Sequence, residues 1–135
     1  MADAVTSQTI ADGERNVVMK FTNVSDGSGE AAVVKVDVSA LSSNSRGVAC
    51  SEVRLMQVRY AVVGMSVQMY FDATANVLLL EIAESSNGNL EFDDFGGIPN
   101  NSGSGKTGDI LFTTIGHTSG DTYMIVLEMI KIYSD

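Results

Sequence analysis

Apolar and polar residues alternate along much of the chain with a period of two. Val34, Val36 and Val38 alternate with Lys35, Asp37 and Ser39, which predicts a strand with one dry and one wet face. Val17, Met19 and Phe21 form a similar row opposite Lys20 and Thr22, and Val67, Met69 and Phe71 alternate with Ser66, Gln68 and Tyr70. The run Val77-Leu-Leu-Leu-Glu-Ile82 is almost continuously apolar, as expected of a strand covered on both faces. Two further runs span residues 110–115 and 123–133. The last could form a buried helix, since it holds Leu, Met and Glu. Its β-branched and aromatic content, and the Gly120-Asp121 turn before it, favour a strand.

Clusters of Gly, Ser, Asn and Asp separate these runs, at residues 25–29, 42–45, 85–88, 96–108 and 118–121. Such residues tolerate positive φ or bond their own backbone, so they mark turns. The spacing gives about eight strands at intervals of roughly 8–14 residues, without helical stripes. That rhythm predicts an all-β fold, a single-domain antiparallel β-sandwich of jelly-roll type over residues 1–135. Residues 1–10 alternate weakly and predict an N-terminal arm, either added to a neighbour's sheet edge or forming the first strand of its own sheet.

Size and charge narrow the function. A chain of 135 residues folds to roughly 6,800 Å² of accessible surface from about 20,700 Å², enough burial for one core without staples. No apolar run approaches the ~20 residues that span a bilayer, and the first residues lack the basic and apolar regions of a secretory signal. Seventeen acidic residues against eight basic leave a net charge of -9, which repels polyanions and makes nucleic acid and anionic membranes poor partners. The single Cys50 excludes an intrachain disulfide and is expected to be a structural thiol.

Motifs for chemistry are sparse. Gly103-Ser-Gly-Lys-Thr107 resembles the end of a phosphate-binding loop, but Asn100 stands where the first glycine belongs and a strand follows in place of a helix. Glu91, Asp93 and Asp94 could offer oxygen ligands to a cation, but without an EF-hand spacing the plainer expectation is a solvated acidic strand end. The lone His117, at a strand-to-turn junction, has no Gly-x-Ser-x-Gly elbow to serve and is expected to be structural or to lie at an interface. Glu81 and Glu128 remain a conceivable carboxylate pair for glycoside chemistry, although the chain has no Trp for sugar stacking. Met19, Met56, Met69, Met124 and Met129 are expected as core fillers. Sequons at Asn23 and Asn100 carry no weight without secretion. The expectation is a protein that is not an enzyme and uses no cofactor or metal.

Several segments carry a resemblance. Residues 6–16, Lys20-Phe-Thr22, Val36-Asp-Val-Ser-Ala-Leu41, Phe71-Asp-Ala-Thr74, Asp94-Phe-Gly-Gly-Ile-Pro-Asn100 and residues 108–117 are similar to small virion structural proteins of tailed bacteriophages, chiefly marine ones, of the capsid decoration or cement type. The resemblance implies a β-sandwich on the capsid exterior, with the major capsid protein as partner, assembled as homotrimers at threefold positions. It carries no active site. A tail, neck or fibre accessory role, with glycan binding, is the alternative. An acidic surface suits the outside of a DNA-filled shell, and a modest apolar footprint at ~25 cal/mol per Å², repeated across the lattice, stabilises it. Val5 and Ile10 on the arm, exposed Phe95 and Ile98 in the loop 95–108, and His117 are the expected capsid or subunit contacts.

Overall fold

The computed structural model describes residues 4–133. They form nine strands: β1 Ala4–Asp12, β2 Asn16–Val24, β3 Val33–Val36, β4 Cys50–Val63, β5 Ser66–Phe71, β6 Val77–Ile82, β7 Asn87–Glu91, β8 Ile110–Ile115 and β9 Thr122–Tyr133. Every pairing is antiparallel. One sheet runs β1-β2-β9-β4-β7 and the other β3-β8-β5-β6.

The pairings have a simple logic. β2 pairs with β9, β3 with β8, β4 with β7 and β5 with β6, so β2 to β9 make one long hairpin. Rolling that hairpin brings β9 beside β4 and β8 beside β5. This is the eight-stranded double Greek key of a jelly roll, as the alternation predicts. β1 adds a ninth strand outside the roll. It is the first strand of its own sheet, and residues 1–3 of the expected arm lie outside the described residues.

Two strands lie outside the runs legible from alternation. β4 hides because its inward residues Cys50, Val53, Leu55, Val58 and Val62 are not evenly spaced. Bulges between Cys50 and Glu52 and between Leu55 and Gln57 each insert a residue, so the inward spacing becomes three. β7, Asn-Gly-Asn-Leu-Glu, is polar because it is the sheet's far edge.

Two patterns read differently in the structure. In β3 a bulge between Val34 and Val36 breaks the expected phase at one point: Val34 is 49% exposed and Lys35 is buried, while Val36 and Val38 are buried as the alternation predicts. β6 is an edge strand with Leu78 half exposed, not a strand covered on both faces. β9 is a strand, with Tyr123, Ile125, Leu127 and Met129 all turned inward.

The core lies between the sheets. Phe21 of β2 meets Phe112 of β8 edge to face at 5.3 Å, and Phe112 meets Tyr123 of β9 at 5.9 Å, stapling one sheet to the other. Cys50 is buried and free. Met19, Met65, Met69 and Met129 fill the core, whereas Met124 is 41% exposed and Met56 is half-buried at the surface.

Candidate functional site

The expected contact residues fall in three separate places. Val5 and Ile10 sit on β1, 47% and 54% exposed. β1 touches the fold through β2, with Thr9 beside Met19 and Ser7 beside Phe21. The facing sheet ends at β3, so the row of β1 that continues the core face is left uncovered. Residues 5–11 are exposed throughout, and among the described residues no strand pairs with the outer edge of β1, which offers its backbone donors and acceptors.

Phe95 and Ile98 lie beside the opposite edge of the same sheet. Phe95 ends the 3-10 turn Asp93–Phe95 and is 64% exposed. Ile98 differs from the expectation of an exposed anchor. It is half-buried against the core, and its backbone exchanges hydrogen bonds with Leu55 at 2.8 and 3.0 Å. The bridge requires close approach at Gly97 (φ +91°), where a Cβ would stand 2.6 Å from Met56 Sδ and 3.0 Å from Leu55 O.

His117 occupies a third place, after β8. Its ring lies over Gly29, where a Cβ would stand 2.2 Å from the ring atoms, and Nδ1 is 3.2 Å from Thr114 Oγ1. It packs within its own chain. No single site gathers the five residues.

The other sequence candidates also find places. Lys106 pairs with Glu52 at 2.9 Å, and Thr107 Oγ1 donates to Asp72 at 2.9 Å, so carboxylates hold the phosphate-loop look-alike. Glu81 and Glu128 stand on the outer faces of different sheets, Glu81 beside Gln68 and Glu128 beside Gln57, and so form no pair. Among the described residues no group of three or more His, Cys, Asp or Glu could hold a metal ion. Both sequon asparagines, Asn23 and Asn100, are buried. Tyr123, one aromatic that a glycan binder could offer, is buried too.

Two surface features were not legible from sequence. The first is an apolar row across the outer face of the four-stranded sheet. Val34 pairs with Leu111, Leu111 with Tyr70 and Tyr70 with Leu78, so one row crosses all four strands. Val34 and Leu78 are half exposed at its ends.

The second is a groove of about 870 Å³ on the outer face of the five-stranded sheet. Ile130 and Ile132 of β9, with Met56 and Arg54 of β4, contribute from the strands. Glu14 and Arg15 come from the β1–β2 turn, Asn44, Ser45 and Arg46 from the loop before β4, and Asp93 and Gly96 from the turn after β7. Three of the chain's four arginines therefore line one groove. Local bonds fix its rim. Ser45 N donates to Glu14 Oε1 at 2.7 Å, Tyr133 donates its hydroxyl to Glu14 O, and Arg54 Nε donates to Gly96 O at 3.1 Å. The hydrogen bonds from Ser45 hold the Glu14 carboxyl below its ordinary range, helped by the nearby Arg46 charge. Residues from five separate segments meet here, so no local motif announces the groove.

Comparison with protein-family models finds no match, and comparison with curated proteins finds none either.

Proposed function

We propose that this is a non-enzymatic virion protein that binds the outside of a tailed-phage head and stabilises the capsid lattice. Its partner in this reading is the major capsid protein, and its assembly is a homotrimer at threefold positions. The resemblance of the segments over residues 6–117 motivates the reading. The observation that carries it is β1, a strand exposed from Val5 to Ala11 whose outer edge pairs with no other strand among the described residues. Such an edge adds to a neighbour's sheet by main-chain hydrogen bonds, while Val5 and Ile10 supply apolar contacts. A ligand that binds the assembled lattice and not its free subunits stabilises the shell by mass action. The net charge of -9 suits a surface facing away from packaged DNA.

The test is the copy number in purified particles. A decoration protein is expected in fixed, high ratio to the major capsid protein, whereas a few copies per particle would place it in the tail or neck. Deleting residues 1–10 should then lower capsid occupancy sharply. Full occupancy by a folded deletion variant would remove β1 as the attachment strand.

A further inference from the structure

The arginine groove lies beside a feature of complementary chemistry. The turn Asp93–Phe95 presents two exposed carboxylates and then Phe95, whose ring is 64% exposed. The groove offers Arg15, Arg46 and Arg54 around Ile130, Ile132 and Met56, and these three arginines outnumber the two acidic side chains of its lining, Glu14 and Asp93. A guanidinium fork matches a carboxylate in plane and charge, and an apolar floor matches an aromatic ring. We propose that the groove receives the Asp94-Phe95 tip of a second copy of this chain.

Asp93 and Gly96 at the base of the turn line the groove of their own chain, whereas Asp94 and Phe95 at its tip do not. The base of the turn is held to β4 by the bond from Arg54 to Gly96 O and by the Leu55–Ile98 bridge. The same bonds fix its shape before contact, so little ordering is lost on association. Charge selects the orientation. A chain of net charge -9 repels a second copy over most approaches, and the arginine groove is where an acidic tip is attracted. Tip and groove are different patches, so repeating the contact closes a ring if the rotation allows, or is reciprocated about a twofold axis. The inference deepens the self-assembly of the proposed function by naming the contact between copies, and it holds whatever surface the assembly decorates.

Sedimentation of the full chain over a range of concentrations tests it. A discrete oligomer is expected that weakens in high salt, where the Debye length shortens. Phe95→Ser and the pair Arg15→Glu with Arg46→Glu should each raise the dissociation constant roughly tenfold or more, and Asp94→Arg should weaken it as well. All four substituted side chains are exposed, so thermal midpoints should stay near wild type and confirm that each variant folds. Combining Arg15→Glu, Arg46→Glu and Asp94→Arg in one chain should restore association by exchanging the charges. A wild-type monomer at every concentration would overturn the proposal. So would an oligomer indifferent to Phe95→Ser and the arginine reversals, or a combined variant that does not recover.

Discussion

Lys35 and Lys131 both turn into the fold, and their surroundings differ in an instructive way. The Lys35 ammonium lies 2.5 Å from Glu30, with both side chains under 5% exposed. Glu30 also accepts hydrogen bonds from the Tyr123 hydroxyl at 2.6 Å and Asn23 Nδ2 at 2.9 Å. Its backbone is tied to Thr114 through bonds of 2.9 and 3.0 Å. Lys131 is equally buried but bonds chiefly to backbone and hydroxyl oxygens: Gly13 O at 2.7 Å, Ser42 Oγ at 2.9 Å and Ser42 O at 3.1 Å. Its carboxylate partner, Asp12, is 21% exposed. Lys131 and Tyr123 stand eight positions apart on the inward row of β9, or ~26 Å along the strand. One end of the sandwich is thus sealed by a buried ion pair, while the other is fastened by a lysine that ties the β1–β2 turn to the loop before β4. A sealed pair is costly to break because the charge left behind has no water. A rim pair loses less, because its carboxylate is already partly hydrated.

The largest expected effect follows from that difference. Glu30→Ala strands the Lys35 ammonium in the core and removes the acceptor used by Tyr123 and Asn23. It should destabilise by about 3–5 kcal/mol, read as a lower urea midpoint. Lys131→Met should cost about 1–3 kcal/mol, since it loses hydrogen bonds to two carbonyls and a hydroxyl and an ion pair whose carboxylate is already partly hydrated. It should also speed amide exchange at Asp12 and the β1–β2 turn while leaving exchange near Tyr123 unchanged. Equal losses in the two variants, or faster exchange at the Tyr123 end in Lys131→Met, would break the comparison.

The burial of Lys35 was not legible in the sequence, and the reason is the same as for β4. Period-two reading assigns each residue a face by parity, and a bulge resets parity. Lys35 stands among alternating valines, so parity places it in water, yet the bulge beside it turns it into the core. Lys131 keeps parity with Tyr123, Ile125, Leu127 and Met129, so its burial was readable from β9 alone, but a lysine at that place suggests a frayed end. Where strands lack bulges, as in β2, the alternation of Val17, Met19 and Phe21 matches burial residue by residue. Asn87 and Gly88 open β7 although their composition marks a turn, because edge strands accept polar residues. The groove was beyond reach for another reason: its arginines, at positions 15, 46 and 54, come together only when the hairpin rolls up. The exposed Phe95, by contrast, was anticipated by its place in a long aperiodic loop.

The smallest expected effects concern pH, and they run in opposite directions at two carboxylates. Burial pushes the Asp12 carboxyl up, but hydrogen bonds from Lys131 and Ser42, with the Lys131 charge, outweigh it and hold the group below its ordinary value of 3.8. Asp12 in the folded state therefore binds its proton less readily than in the unfolded chain. Its contribution to stability is present above that ordinary value and is lost as pH falls through the depressed folded one. Burial raises Asp109 instead, and the charges of Asp37 and Asp72 add to the rise against the hydrogen bonds from Val38 N and the Thr107 side chain. Its sign is reversed: the contribution is present below the ordinary value and is lost as pH rises through the raised folded one. Asp109→Asn keeps an oxygen to accept the 2.9 Å bond from Val38 N and removes the charge. It should raise the urea midpoint slightly at neutral pH and leave it unchanged in strong acid. Asp12→Asn should do the reverse, lowering the midpoint at neutral pH and flattening its fall in acid. Urea midpoints measured from pH 2 to 7 for the two variants and wild type separate these outcomes. A gain for Asp12→Asn at neutral pH would show that the lysine at the rim is satisfied by its carbonyls alone, making the two ends of the sandwich differ more than their geometry implies.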